Sequence, residues 1–525
     1  MKSVTLVNPP QLNSLDDRLD PPLGLMYIAA VLEENKVRVN ICDLAGRKEE
    51  DWLDLIPESD VYGMTVFSSS LNTARRIARV IKNRNKESVI VFGGPHPTSL
   101  PEETLKYPEV DYVIKGEGEY AFTDLVKDKK TSIKNGGIIQ ARSILNIDDL
   151  PLPARHLVDM QSYTREVEGK RTTSLITARG CPNNCNFCFK DVHGRTVRFR
   201  STKKIIEEIT GIQKKYDINS FIFYDDIFTL KRKRLSELCS KFEKMGITFR
   251  CNGHVGINTY EDYEMLSRAG CQEIAFGIES GSQKMLDNMN KRTTVKQNID
   301  AITEAKRAGI MTKAYLISGF PGETKETIEE TKRFMDRSDP DKFTVFQFAP
   351  FPGCDVYKNP DNYGVTSMNE DWDQFFNIAG NYEGGAAFET KGLSYKKAKA
   401  LHDDLVAYLM KKGQKGELQP YMKKLNLEDT KFNNKNSIVQ NNNYIYKKWE
   451  EEKDSIYTKV YFAASLVLTI LASFFTKYVG WLSILILADI LGILLIISAH
   501  AGIKRQNSKF YHDKINNEKL QETKE

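Results

Sequence analysis

Twice along this chain, short β-branched apolar runs alternate with segments of helical period, and each alternation confines its stretch to a parallel sheet flanked by helices. The first alternation runs from Val4 to about Lys130, through VTLVN, PPLGLMYIAAVLEE, VRVNIC, VYGMTVF, TARRIARVIKN, SVIVFGG and YVIKGEGE. Strands covered on both faces read as continuous apolar runs, and such sheets take ligands beyond the strand carboxyl ends. The Gly-rich segments GGPHP and GEGE fall there. The second alternation runs from Thr173 to about Pro350, with strands predicted in TSLITA, SFIFY, ITFRC, QEIAFGI, KAYLISG and FTVFQF. Six strand–helix repeats suit a barrel or partial barrel, whose chemistry gathers at the carboxyl ends of its strands.

The expected fold is therefore α/β. A Rossmann-like, doubly wound domain occupies residues 1–150 and a partial (β/α)6 barrel residues 151–390, with the boundary near Pro151 and Pro153. Residues 391–455 read as a helical extension and an Asn-rich linker, and residues 456–525 as a transmembrane helical hairpin with a basic tail. Two apolar runs carry the hairpin, Val460 to Phe475 and Val479 to Ala499, and only the second reaches the length that spans a bilayer. Lys447, Lys448, Lys453 and Lys459 before it, and Lys504, Arg505 and Lys509 after it, place both ends and the catalytic domains in the cytoplasm. The expected protein is membrane-anchored, with a buried helical pair as the alternative.

Composition narrows the partners. With 75 basic against 70 acidic residues, net +5, the chain is too balanced to indicate nucleic acid. Eight cysteines in a chain of this size, without a secretory signal, point away from a disulfide framework. Three of them form one motif, Cys181-Pro-Asn-Asn-Cys185-Asn-Phe-Cys188, directly after the first predicted barrel strand. A four-iron cluster normally takes four thiolates, so three leave one iron open to coordinate a small molecule. A structural zinc site is the alternative, with His193 the nearest fourth ligand.

This loop closely resembles that of the radical S-adenosylmethionine superfamily, in which the cofactor's amino and carboxylate groups occupy the open iron. The resemblance implies a 4Fe-4S cluster held by Cys181, Cys185 and Cys188, reductive cleavage of S-adenosylmethionine, and hydrogen abstraction from substrate. It places Phe187 against the adenine. Asp225 and Asp226, in Tyr224-Asp225-Asp226 at the second strand end, would face the methionine amine, a solvated helix cap being the alternative. In Gly277-Ile278-Glu279-Ser280-Gly281, Glu279 and Ser280 suit a ribose. Gly319, Pro321 and Gly322, in Gly319-Phe320-Pro321-Gly322-Glu323, permit close backbone approach.

The N-terminal segments are similar to the cobalamin-binding domain that precedes the barrel in one large subgroup, which includes the anaerobic magnesium-protoporphyrin ester cyclases and hopanoid methylases. The matching residues are Pro22, Leu23 and Gly24; Ser68 and Ser69; Gly93, Gly94 and His96; and Gly116, Glu117, Gly118 and Glu119. One departure is clear: where many cobalamin domains carry Asp-x-His-x-x-Gly, this chain has Asp43-Leu44-Ala45-Gly46, without a histidine for cobalt. A purely structural Rossmann-like domain is the alternative.

The resemblance implies methylation of an unactivated carbon on a hydrophobic substrate, lipid or tetrapyrrole-like, with oxidative cyclisation or another carbon-skeleton rearrangement as the alternative. An electron donor such as flavodoxin or ferredoxin is the expected partner, together with the membrane. Methylthiotransferases carry a second cysteine set near the N-terminus, where Cys42 stands alone. Outside catalysis, the alternative is a membrane-bound iron–sulfur redox sensor, which would not cleave S-adenosylmethionine.

Overall fold

The computed structural model describes residues 2–11, 17–127, 136–375, 387–411 and 415–416, all within one compact unit spanning residues 1–423. The first sheet contains β1 (Val4–Asn8), β2 (Val39–Asp43), β3 (Val61–Thr65), β4 (Val89–Gly93), β5 (Tyr112–Lys115) and β6 (Gly137–Gln140). They pair in the order β2-β1-β3-β4-β5-β6, all parallel. Four helices matter for the site: α1 (Leu23–Glu34), α2 (Leu71–Arg84), α3 (Pro95–Ser99) and α4 (Gly118–Lys127). Leu6, Val61, Val91 and Ile114 pack on one face against Leu25, Ala29 and Phe122. Ile77, Ala78 and Ile81 of α2 cover the other. Burial on both faces explains the unbroken apolar runs of these strands.

The second sheet is a partial barrel. Its parallel strands are β7 (Lys170–Leu175), β8 (Ser220–Phe223), β9 (Thr248–Gly253), β10 (Cys271–Glu279), β11 (Met311–Ser318) and β12 (Lys342–Gln347), paired in sequence order. A short antiparallel strand, Glu166–Val167, borders β7, and Lys415–Gly416 borders β12. Helices α5 (Thr202–Tyr216), α6 (Arg232–Met245), α7 (Tyr260–Arg268), α8 (Gln283–Asn288), α9 (Val295–Arg307), α10 (Lys325–Ser338) and α11 (Tyr395–Lys411) lie among and after the strands. Two boundaries show a local cause. The Ser201 hydroxyl accepts from Lys204 N at 3.3 Å to open α5, and left-handed Gly246 closes α6. Between strands and helices lies the main apolar core, where Phe223 and Phe249 touch each other and both Phe228 and Phe242, ring centres 4.7–5.9 Å apart.

The transmembrane hairpin expected over residues 456–525 is the part of the predicted architecture that is corrected. Among the described residues no helix is long and apolar enough to cross a membrane. The longest, α11, has 17 residues and is interrupted by Lys399, Asp403 and Asp404, whereas spanning takes about 20 apolar residues. The two apolar runs themselves lie outside the described residues. Membrane anchorage, and the cytoplasmic placement deduced from it, are withdrawn with the hairpin.

Candidate active site

The three-cysteine loop leaves the barrel at the end of β7, and its geometry is set by neighbours rather than by its own sequence. Asp225 accepts from Thr177 N at 2.6 Å, from Ala178 N at 3.0 Å and from the Thr177 hydroxyl. Gly180 sits at φ +92, and a Cβ there would stand 2.5 Å from Thr196 O, so only glycine fits. Asn186 then donates from its backbone to Met289 O at 2.9 Å and from its side chain to Asn288 O at 3.0 Å. Asn290 donates to Asn184 O at 2.7 Å.

Cys181 is buried and Cys185 and Cys188 are half-buried. Burial pushes the Cys185 thiol up to about 11, opposed by Lys291, and pushes Cys188 up, opposed by Lys190; the cysteines act on each other in both cases. The three sulfurs therefore share one electrostatic neighbourhood, with two lysines that favour thiolates. Among the described residues no three His, Cys, Asp or Glu side chains converge on one point as a single metal ion requires. Three thiolates leave one iron of a four-iron cluster open, whereas a structural zinc takes a fourth protein ligand. His193, the fourth ligand a zinc site would need, faces Glu117 at 3.1 Å instead.

On the barrel side, Glu279 lies at φ +63 in a bulge between β10 and β11, and its carboxylate accepts from Lys291 Nζ at 2.6 Å. Burial alone would lower the Lys291 pKa, but Glu279 and Cys185 hold it above its ordinary value. The same ammonium stands 5.8 Å from the centre of the Phe187 ring. Glu279, Phe187 and Cys185 are thus gathered around one lysine. Ser280 is buried, its hydroxyl 3.1 Å from that of Thr331. Gly319 and Gly322 both take positive φ, with Pro321 between them, and Gly319 N donates to Glu323 at 2.5 Å. Asp225 is fully committed to the loop before the cysteines, whereas Asp226 is partly exposed, 3.2 Å from Lys190.

On the N-terminal side, a cavity of about 400 Å³ opens beyond the carboxyl ends of β3, β4 and β5. Gly24, Gly93, Gly94, Gly116, Glu117, Gly118 and Glu119 line it, and so do Phe189, Lys190, His193 and Asp226 from the barrel. The inner wall is apolar, with Leu6, Val91, Ile114 and Phe122, and Gly63 leaves a groove that a Cβ would fill, at 2.8 Å from Phe122. An apolar slot with a polar mouth suits a large amphipathic cofactor. Pro22, Leu23, Ser68, Ser69 and His96 do not line it. His96 is buried against Trp372, its Nδ1 3.0 Å from the Ser68 hydroxyl, and burial lowers its pKa to about 4. Ser69 donates to Gln11 at 3.1 Å, Pro22 precedes α1, and Leu23 packs on Met26 and Tyr27.

Sequence reasoning named Glu117 and Glu119 but missed the cations through which they join the two halves. Glu117 accepts from Arg179 at 2.9 Å and from Arg198 at 2.5 Å, and Glu119 accepts from Arg179 at 2.6 Å. Burial would raise the Glu117 carboxyl, but His193, Arg198, the Ile144 N–H and Arg179 together hold it well below the usual carboxylate range. Lys190 and Lys291 were missed as well. Nothing in their spacing marks any of these four cations; only their position beside the cysteine loop and the GIES segment could have suggested them.

Fold and site together point to an enzyme class: a partial barrel with a three-cysteine loop at its mouth, facing a Rossmann-like domain with a cavity beyond its strand ends. The Radical SAM superfamily model matches residues 175–335, and the B12 binding domain model matches residues 20–126. An uncharacterized methyltransferase of Pyrococcus horikoshii is 32% identical over 365 residues, covering 64% of this chain and 78% of that protein. The anaerobic magnesium-protoporphyrin IX monomethyl ester cyclase of Rubrivivax gelatinosus is 30% identical over 371 residues, 64% and 66% of the two chains. Among solved structures, the cobalamin-dependent S-adenosylmethionine radical enzyme OxsB, with aqua-cobalamin and S-adenosylmethionine bound, superposes with a TM-score of 0.59. That match has 17% identity and covers 94% of this chain and 75% of the other, a likeness of fold.

The chain belongs to the radical S-adenosylmethionine superfamily, in the branch that carries a B12-binding domain ahead of the barrel. It is an enzyme, and the cofactors of these two domains are a 4Fe-4S cluster, S-adenosylmethionine and cobalamin. Such enzymes act on small molecules and need a reductant.

Proposed function

We propose that this enzyme methylates an unactivated carbon of a small hydrophobic molecule. The observation that carries the reading is the shared cavity: strand ends of the B12-binding domain and residues flanking the cysteine loop, Arg179, Phe189, Lys190 and His193, line the same space. When bound, the cluster with S-adenosylmethionine supplies hydrogen abstraction from unactivated carbon, and cobalamin supplies the methyl group. Cys181, Cys185 and Cys188 would hold the cluster. Phe187, Asp226, Glu279 and Ser280 would surround S-adenosylmethionine, with Gly319, Pro321 and Gly322 providing a close backbone wall. Gly24, Gly93, Gly94, Gly116 and Gly118 would let the corrinoid enter the slot, while Glu117 and Glu119 fix Arg179 beside the cluster loop.

The division at residue 150, between corrinoid domain and barrel, and at residue 390, after the barrel, is part of this reading, as is flavodoxin or ferredoxin as donor. A relative named as a methyltransferase supports methylation. The relative named as a cyclase favours oxidative cyclisation as the second reading. The test is anaerobic purification of the full chain from cells supplied with cobalamin, followed by incubation with reductant, a small-molecule cell extract and S-adenosylmethionine bearing a deuterated methyl group. Corrinoid in near-stoichiometric amount, together with a deuterated methyl on an extract component, is the expected result. A product two hydrogens lighter without label would favour cyclisation, and absence of corrinoid beside an intact cluster would exclude both.

A further inference from the structure

The B12-binding domain has Asp43-Leu44-Ala45-Gly46 after β2, so no histidine reaches cobalt from that loop. A corrin ring fills the equatorial positions of its metal, and one protein donor is enough to complete an axial position. Neutral imidazole is the commonest metal ligand among side chains. Among the described histidines only His193 lines the cavity. His96 is buried away from it against Trp372, and His156 lies 2.8 Å from Glu33.

The backbone of His193 is fixed by its neighbours. It stands in the turn that follows the cysteine loop, where Gly194 takes φ +71 and donates from its N–H to Lys190 O at 2.7 Å. Cys181 N donates to Gly194 O at 3.4 Å, which ties this turn to the start of the cysteine loop. The His193 carbonyl accepts from Arg198 at 2.8 Å.

The ring is fixed as well. Its Nδ1 lies 3.1 Å from Glu117 Oε1, and the Glu117 side chain is 1% exposed and also bound by Arg179 and Arg198. These cations keep Glu117 ionised, and an ionised carboxylate only accepts hydrogen bonds, so Nδ1 carries the proton in this contact. In the neutral ring Nε2 then holds a lone pair, on the far side of the imidazole from Glu117. Among the described residues no other side chain bonds the ring, and 37% of the His193 side chain is open. Metal-binding histidines are built this way: one ring nitrogen donates to a carboxylate, which sets the tautomer and raises basicity, and the other meets the metal.

We propose that His193, oriented by Glu117, is an axial ligand of the corrinoid's cobalt, in place of the histidine missing after β2. This rests on the reading that a corrinoid fills the cavity, and goes beyond it by naming the donor. The ligand comes from the turn after the cysteine loop, so the corrinoid is tied to both halves of the enzyme.

The test is electron paramagnetic resonance of the cob(II)alamin form of the full chain, purified anaerobically from cells supplied with cobalamin, with natural histidine and with 15N-histidine. An axial nitrogen of natural abundance splits each cobalt line into a triplet, and a 15N nucleus splits it into a doublet. A triplet that becomes a doublet under the label is expected, because the nitrogen then belongs to the protein and not to the dimethylbenzimidazole of the cofactor. His193→Ala should lose the doublet. His193→Gln, which keeps a donor for Glu117, gives the same reading if the alanine variant does not fold. A triplet that persists under the label, a spectrum without nitrogen splitting, or a doublet that survives in either folded variant overturns the assignment. Corrinoid bound without a histidine nitrogen overturns the ligand alone and leaves the proposed reaction standing, whereas protein purified without corrinoid overturns the cavity reading with it.

Discussion

Arg179 and Glu117 meet in a buried ion pair at 2.9 Å, with both side chains at most 4% exposed. Arg179 stands two residues before Cys181, and Glu117 lies in the loop between β5 and α4 of the B12-binding domain. The pair therefore couples the position of the cysteine loop to the wall of the cavity across 62 residues of sequence.

Glu117 is the busier of the two acids in this contact, because Arg198 and His193 also reach it. Glu117→Gln leaves two buried guanidinium groups short of charge, whereas Glu119→Gln leaves Arg179 with Glu117. Breaking a buried pair typically costs about 3–5 kcal/mol. Glu117→Gln should therefore lower the melting temperature more than Glu119→Gln, and should lower iron and corrinoid content together. Thermal denaturation with metal and corrinoid analysis checks both. A Glu117→Gln protein with unchanged melting and full loading of both cofactors would refute the coupling.

Lys291 and Glu279 form a second buried pair, at 2.6 Å, beside Cys185 and Phe187. Lys291→Met strands the Glu279 carboxylate and should cost about 3–5 kcal/mol. Adding Glu279→Gln removes the stranded charge and should recover part of that loss. Both proteins should bind S-adenosylmethionine more weakly than the parent. Chemical denaturation and equilibrium binding give the two readouts; equal stability of the single and double variants would show that the carboxylate is not stranded.

Burial pushes the Glu323 carboxyl from 4.5 to about 8, against a single hydrogen bond from Gly319 N. The folded protein thus holds this proton more tightly than the unfolded chain. Stability from Glu323 is fully present below the unfolded value and is lost as pH rises through about 8. Glu323→Gln keeps an acceptor for Gly319 and carries no charge at any pH. Melting temperatures from about pH 5 to about pH 9 should fall less steeply for the variant, by the margin a shifted buried carboxyl implies. Parallel curves would mean that Glu323 is not protonated in the folded state.

The strand-end motifs were legible because their chemistry is local. Cys181, Cys185 and Cys188, the GIESG segment and GFPGE each stand where a strand hands over to a loop, and local pattern reveals that. What could not be read is which acids are already spoken for. Asp225 and Asp226 are adjacent in sequence, yet one is bound to the Thr177 loop and the other faces Lys190 in the cavity wall. The direction of Lys313 was hidden for a related reason: KAYLISG reads as an apolar strand, and only the packing of Ala314 and Leu316 against the helices turns the alternate positions, Lys313 and Tyr315, inward. Two apolar runs near the C-terminus suggested a hairpin on length and flanking charge, and those runs lie outside the described residues.

Gly24 offers the cleanest separation of the two cofactor sites. It lies in the first turn of α1, exposed on the cavity wall, and a Cβ at this position would meet nothing within 4 Å. Leucine is a better helix former than glycine, which in a helix interior costs about 0.8–1 kcal/mol relative to alanine, so Gly24→Leu should fold at least as stably as the parent. Its side chain would project into the cavity and occupy volume that a corrinoid needs. Corrinoid content should fall by about tenfold or more, the loss of at least 1.4 kcal/mol of binding that a blocked slot implies. Iron and sulfide content, and deoxyadenosine formation from S-adenosylmethionine, should stay near the parent level, because the cysteine loop lies on the barrel side of the cavity. Absorbance and mass spectrometry of the anaerobically purified variant report both cofactors at once. If corrinoid remained bound in full, the cavity beyond β3, β4 and β5 would not be its site; if iron disappeared with it, the two sites would be one cooperative unit, as the Arg179–Glu117 pair allows.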